Sequence, residues 1–182
     1  MNLCSRSELR VRETSERTKF GRIGFAFFAL LCLSSVEFAQ NQVQPVQWTG
    51  STLAPIPIRQ GSKFSVELTA KIEDGWHVYG LEQVSGGPTP LRVTLEENDI
   101  VQNVGLISGS TPVKKHDSSF DLDTQFYSQS FTLRLPVQVK PHSSIGNQVV
   151  LVAVRFQACN DRTCLPPRTV HVSVPFELVE GR

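Results

Sequence analysis

The chain has 182 residues, with 18 Lys+Arg against 17 Asp+Glu and four cysteines. So even a charge balance excludes a general binder of nucleic acid or anionic membrane, which would need a cationic face. The length suits one domain with its own core once a leader is removed.

That leader is read first. Residues 23–33 (IGFAFFALLCL) form an apolar run, preceded by Lys19 and Arg22 and followed by small and polar residues. This is the layout of a secretory signal peptide, too short to span a bilayer as a stable helix. Cleavage is expected after Ala39, with Glu37 a poor fit at the −3 position, so residues 1–39 are assigned to the signal. Cys32 offers a second outcome, lipoprotein anchoring, ranked lower because the bulky Leu31 precedes it. Cleavage removes six of the 18 basic and four of the 17 acidic residues, leaving 12 against 13 and a net charge of −1. Cys4 and Cys32 leave as well, so the exported protein keeps one cysteine pair, Cys159 and Cys164, which an oxidising compartment would hold as a disulfide. No second long apolar segment follows. A periplasmic monomer without a membrane span is expected.

Residues 40–60, with Trp48, Pro55 and Pro57, read as a polar arm with room for one short strand; the domain proper is placed at residues 61–180. Residues 63–72 alternate cleanly, with Phe64, Val66, Leu68, Ala70 and Ile72 on one face. Glu73-Asp74-Gly75 turns the chain into a strand over residues 76–79. A loop follows at residues 85–90, then strand candidates at 91–95 and 101–107. Residues 108–125 read as a long polar loop, of a size typical of lids and binding loops. Phe120 and Leu122 within it are expected to cover something. Residues 130–139 alternate again, with Phe131, Leu133, Leu135, Val137 and Val139 inward. Pro136 predicts an edge strand or a bulge, and Pro175 the same for the last strand. Residues 149–158 and 168–178 are the last two strand-like runs. No helical period survives after the leader, and seven or eight strands point to an all-β sandwich.

The chemistry concentrates between those last runs, in Phe156-Gln157-Ala158-Cys159-Asn160-Asp161-Arg162-Thr163-Cys164-Leu165-Pro166-Pro167. Flanking strands joined by a four-residue loop form a hairpin that brings the two cysteines within disulfide reach. Closing so short a loop stabilises by only about 2 kcal/mol, against about 4.7 for a 100-residue loop. The pair is therefore poorly sited as a staple and well sited for access, and both a structural and a redox role stay open. Arg162 would favour a thiolate and Asp161 oppose it. Pro166-Pro167 stiffens the chain beyond Cys164. His77, His116, His142 and His171 show no metal-pair spacing and read as strand or surface residues. A Cu(I) site on the two cysteines and one histidine is a minor alternative. Trp76 and Tyr79 could form a sugar platform but fit core and rim better. No carboxylate pair suggests hydrolysis, and no cofactor or metal is expected.

The block ending in Cys159, with Cys164-Leu165-Pro166-Pro167, resembles the active-site hairpin of the N-terminal periplasmic domain of the DsbD thiol:disulfide interchange family. Gly75-Trp76-His77-Val78-Tyr79 and Gly87-Pro88-Thr89-Pro90-Leu91 are similar to an earlier signature of that family. The resemblance runs from about Gly61 to Leu178. It implies an immunoglobulin-like β-sandwich of about seven to nine strands with the redox pair at one end. It implies dithiol–disulfide exchange without a cofactor, with Cys164 forming mixed disulfides and Cys159 as the resolving thiol. Phe120 would be the aromatic cap over the pair, Asp117 a tuner of thiol pKa, and Pro166 and Pro167 the site framework. Expected partners are a thioredoxin-like donor and, as clients, periplasmic disulfide or cytochrome-maturation proteins. The loop here is one residue shorter than in the best-known member. Full-length members also carry a membrane electron conduit and a C-terminal thioredoxin domain, neither of which these 182 residues contain, so reduction by a separate protein is expected. The alternative is a non-catalytic exported β-sandwich binding module with a structural hairpin disulfide.

Overall fold

The structure, a computed structural model, describes residues 43–54 and 57–181. The expected signal peptide and Cys32 lie outside the described residues. Within them the chain forms β1 (Val46–Leu53), β2 (Ile58–Arg59), β3 (Lys63–Ile72), β4 (His77–Tyr79) and β5 (Arg92–Leu95). It continues through β6 (Val101–Asn103), β7 (Ser108–Gly109), β8 (Val113–Asp117) and β9 (Leu122–Tyr127). The series ends with β10 (Phe131–Val139), β11 (Gly146–Phe156), β12 (Ala158–Cys159) and β13 (Arg168–Val179). No helix occurs among the described residues.

Two sheets make an immunoglobulin-like sandwich. One has the order β1-β3-β10-β6, with β7 also on β10; the other has the order β2-β13-β11-β5. The alternating strands drive this arrangement. The inward residues of β3 and β10 named above are all buried, and so are Val150, Val152, Val154 and Phe156 of β11 and Val172, Val174, Phe176 and Leu178 of β13. Each of the larger side chains contributes about 1.5–3 kcal/mol by leaving water. Aromatic contacts tie the sheets together: Phe64 of β3 meets Phe176 of β13 at 5.3 Å between ring centroids, and Trp48 of β1 meets Phe156 of β11 at 5.7 Å.

Three sequence expectations are corrected. Residues 46–53 of the expected arm are a full strand, paired along its length with β3. Its Gly50 permits a close approach to β13, since a Cβ there would fall 2.7 Å from Val174 Cγ2 and 3.1 Å from the Ser173 carbonyl oxygen. Secondly, of the edge or bulge expected at Pro136 the edge does not occur: β10 is an interior strand, and residues 104–107 bulge out opposite Leu135 and Pro136. The Pro136 carbonyl accepts the Val104 amide at 3.1 Å, so the proline's missing donor faces the same side, in the gap between β6 and β7. The expected 101–107 strand is interrupted there for the same reason: without that donor the ladder breaks.

Thirdly, residues 108–125 are not a loop. They contain the β8–β9 hairpin, in register from Val113↔Phe126 to Asp117↔Leu122. Four of the five β8 residues are exposed, so no apolar alternation marked it. Cross-strand pairs support it instead, with Lys114 3.8 Å from Asp123, and His116 3.4 Å from Asp121 and 3.7 Å from Asp123. Asp121 takes a left-handed φ of 55° at the tip, which aspartate tolerates better than most residues. This hairpin belongs to a third sheet, β12-β4-β9-β8, and it positions the site.

Candidate functional site

The two cysteines face each other across the four-residue loop, as the sequence predicts, but the β11–β13 ladder does not run on to them. β11 and β13 part at the Phe156↔Arg168 pair, and residues 157–167 leave as a separate excursion. Pro166 and Pro167 explain the departure. They stand where the β13 side of the ladder would continue, and neither has an amide hydrogen to give. Ala158 and Cys159 are thereby released to pair with β4, Ala158 opposite Val78 and Cys159 opposite His77.

Cys159 and Cys164 are joined by a disulfide, with Cα atoms 4.1 Å apart and bridged as an isolated antiparallel pair. Hydrogen bonds hold the loop independently of the sulfurs. Asn160 N donates to the Thr163 carbonyl and Leu165 N to the Ala158 carbonyl, each at 2.9 Å. The Asn160 side chain accepts the amides of Arg162 and Thr163, both at 2.9 Å, an arrangement that tightens a four-residue turn. Gln157 is a brace: its Oε1 accepts the Thr89 amide at 3.2 Å, and its Nε2 donates to the Leu165 carbonyl at 3.4 Å. Two sequence blocks some eighty residues apart, around Trp76–Thr89 and around the cysteines, thus converge on one place.

The two cysteines are not equivalently buried. Cys159 is 1% exposed, whereas Cys164 is exposed. A thiol in solution meets Cys164 first. Pro166 is exposed and Pro167 half-buried on the way to β13.

Beside Cys159 lies a cluster that sequence reasoning assembled only in part. Tyr79 Oη donates to Asp117 Oδ2 at 2.8 Å, and the Asp117 Oδ1 accepts the Ser119 amide at 2.9 Å. The Tyr79 ring meets His77 at 5.1 Å and Phe120 at 6.0 Å, both edge to face. His77 also meets Phe126 at 5.1 Å. Of the residues expected here, Asp117 and Phe120 are both in this cluster, and Phe120 stands on Tyr79. His77 and Tyr79 were missed as site residues. The available signal was that His77 and Tyr79 alternate with the buried Val78, which puts them on one face of β4.

Charge and burial compete in this cluster. Burial pushes the His77 imidazole below its ordinary pKa, and the carboxylates of Asp117 and Asp161 oppose that. For Asp117, burial acts upward, but the hydrogen bonds from Tyr79 and Ser119 and the field of His77 outweigh it, so the carboxyl lies below its usual value. Burial first, then the Asp117 contact, drives the Tyr79 hydroxyl well upward, so it stays a donor. A groove of about 450 Å³ opens over this face, lined by His77, Lys115, Asp117, Ser119, Phe126 and Asp161 among others. Among the described residues no three His, Cys, Asp or Glu side chains converge as a metal site. No described helix is long and apolar enough to cross a membrane.

The family described as thiol:disulfide interchange protein DsbD, N-terminal, matches residues 44–175. Among solved structures, the reduced N-terminal domain of DsbD from Neisseria meningitidis is 18% identical, with 62% of this chain and 78% of that one covered and a TM-score of 0.44. The N-terminal periplasmic domain of ScsB from Proteus mirabilis is 15% identical, with 72% of this chain and 45% of that one covered and a TM-score of 0.43. No curated protein matches the chain.

Proposed function

The chain belongs to the family of DsbD N-terminal domains, and from that membership we propose that it is an exported module passing electrons by dithiol–disulfide exchange at Cys159 and Cys164. Electrons would come from a thioredoxin-like donor and go to periplasmic disulfide or cytochrome-maturation proteins. The observation that carries the reading is the unequal exposure of the two cysteines, 1% for Cys159 against an exposed Cys164. Attack on a disulfide needs an approachable sulfur and a leaving thiolate.

In the uptake direction a donor thiolate attacks Cys164 Sγ. The Cys159–Cys164 bond breaks, and Cys159 leaves with the electron pair. The donor's second thiol then attacks its own sulfur in the mixed disulfide and releases Cys164. The chain has gained two electrons and two protons, and the donor has lost them. Delivery is the reverse: Cys164 attacks a client disulfide, and Cys159 resolves the mixed disulfide, leaving the client as a dithiol. Phe120, which packs edge to face on Tyr79, would act as the cap that a partner displaces, and Asp117 would tune the site's charge. Pro166 and Pro167 hold the excursion off the sandwich ladder.

A Cys159→Ser variant should accumulate mixed disulfides on Cys164 in periplasmic extracts, and Cys164→Ser should accumulate none. Absence of any thiol-linked partner with Cys159→Ser would remove the relay. The pair's reduction potential separates this reading from a hairpin staple. Structural disulfides lie below about −300 mV and working ones above.

A further inference from the structure

Resolution of the mixed disulfide poses a proton problem at Cys159. To attack Cys164 Sγ, Cys159 has to be a thiolate. An ordinary thiol, with a pKa of about 8.5, is mostly protonated at neutral pH, and Cys159 is only 1% exposed. An unaided Cys159 would therefore be mostly protonated when it is needed.

The residue directly opposite it is His77, in register across the β12–β4 pair. Direct partners in an antiparallel pair project to the same side, with Cβ atoms about 4.5–5.5 Å apart. Cys159 and His77 therefore share one face of the third sheet, with Ala158 and Val78 on the other. His77 also lines the groove, which connects it to solvent. Tyr79 and Phe126 pack against its ring.

We propose that His77 is the proton acceptor for the Cys159 thiol during resolution. The proposal rests on the exchange reading given above. In the resolving step the Cys159 Sγ–H bond breaks and its proton passes to the imidazole. The sulfur's electron pair forms the bond to Cys164 Sγ, and the client's sulfur departs as a thiolate. Cys159 and Cys164 are oxidised to the disulfide, and the client is reduced. The imidazolium then loses its proton to water through the groove.

The groups facing His77 suit this cycle. Burial keeps the imidazole neutral and able to accept at rest. Asp117 and Asp161 stabilise the imidazolium once formed, and Asp117 is fixed for that task by Tyr79 Oη and Ser119 N. Lys115 and His116 line the same groove from β8.

The probe is 5,5′-dithiobis(2-nitrobenzoate) added to the reduced protein in stopped flow. The first nitrothiolate released reports attack by Cys164, and the second reports resolution by Cys159. Positioned acid–base groups contribute about 10²–10⁴-fold, so His77→Gln should slow the second phase at neutral pH by about 100-fold and leave the first unchanged. The parent's second phase should plateau above the histidine's pKa, whose ordinary value is 6.5. The variant's should keep rising toward the ordinary thiol pKa of about 8.5 and meet the parent's there. A second phase with the parent's rate and pH profile in His77→Gln overturns the proposal. On the reduced parent, Cys159 and His77 should show coupled NMR titrations; independent titrations overturn it without any variant. Cys159→Ser separates the two claims: release of one equivalent supports exchange through Cys164, and no release sinks the exchange reading itself.

Discussion

Removing the disulfide should leave the domain folded. In the double variant Cys159→Ala/Cys164→Ala, two terms act. The cross-link closes a loop between residues five apart, worth about 2 kcal/mol in the chain-entropy model. Loss of one buried sulfur at Cys159 adds about 1 kcal/mol, and the exposed Cys164 adds nothing. The sum is about 3 kcal/mol, or roughly 10 °C in Tm for a domain of this size. The backbone around the pair has its own supports in the β12–β4 pairing, the Asn160 turn and the Gln157 brace. Urea unfolding of oxidised parent, reduced parent and double variant measures both terms, and the two forms of the parent isolate the cross-link. By linkage, the same 2 kcal/mol makes the pair only about 40 mV more reducing in the folded than in the unfolded chain. Unfolding on reduction, or a loss of 5 kcal/mol or more, would refute the reasoning and make the bond a staple.

The oxidised protein should lose stability on acidification in two windows. His77 and Asp117 both have folded-state pKa values below their unfolded ones, so the stability each contributes is present above the unfolded value and lost as pH falls. The first window opens below 6.5 for His77 and the second below 3.8 for Asp117. A urea midpoint that stays flat or rises as the pH drops from about 7 to 5 would contradict the His77 assignment. Phe120→Ala removes the edge-to-face contact with Tyr79 and should cost about 1 kcal/mol. It should also speed reduction of the disulfide by dithiothreitol several-fold; an unchanged rate would show that Phe120 shields nothing.

Much of this protein could be read from local pattern. The strands of the sandwich announced themselves because each buries one face, so Phe64 to Ile72 and Phe131 to Val139 alternate without exception. The cysteine block was equally visible, since its spacing and its two prolines are properties of contiguous residues. Pairing decided the rest. β8 has no buried face and left no apolar signature, so its hairpin read as a loop. Pro136 marked an edge or a bulge by rule, yet the gap between β6 and β7 that accommodates it exists only in the assembled sheet. The same holds for the facing of His77 and Cys159 and for the burial that sets one cysteine apart from the other. Those depend on which strand lies beside which, through contacts between residues distant in the chain, and no local period encodes them.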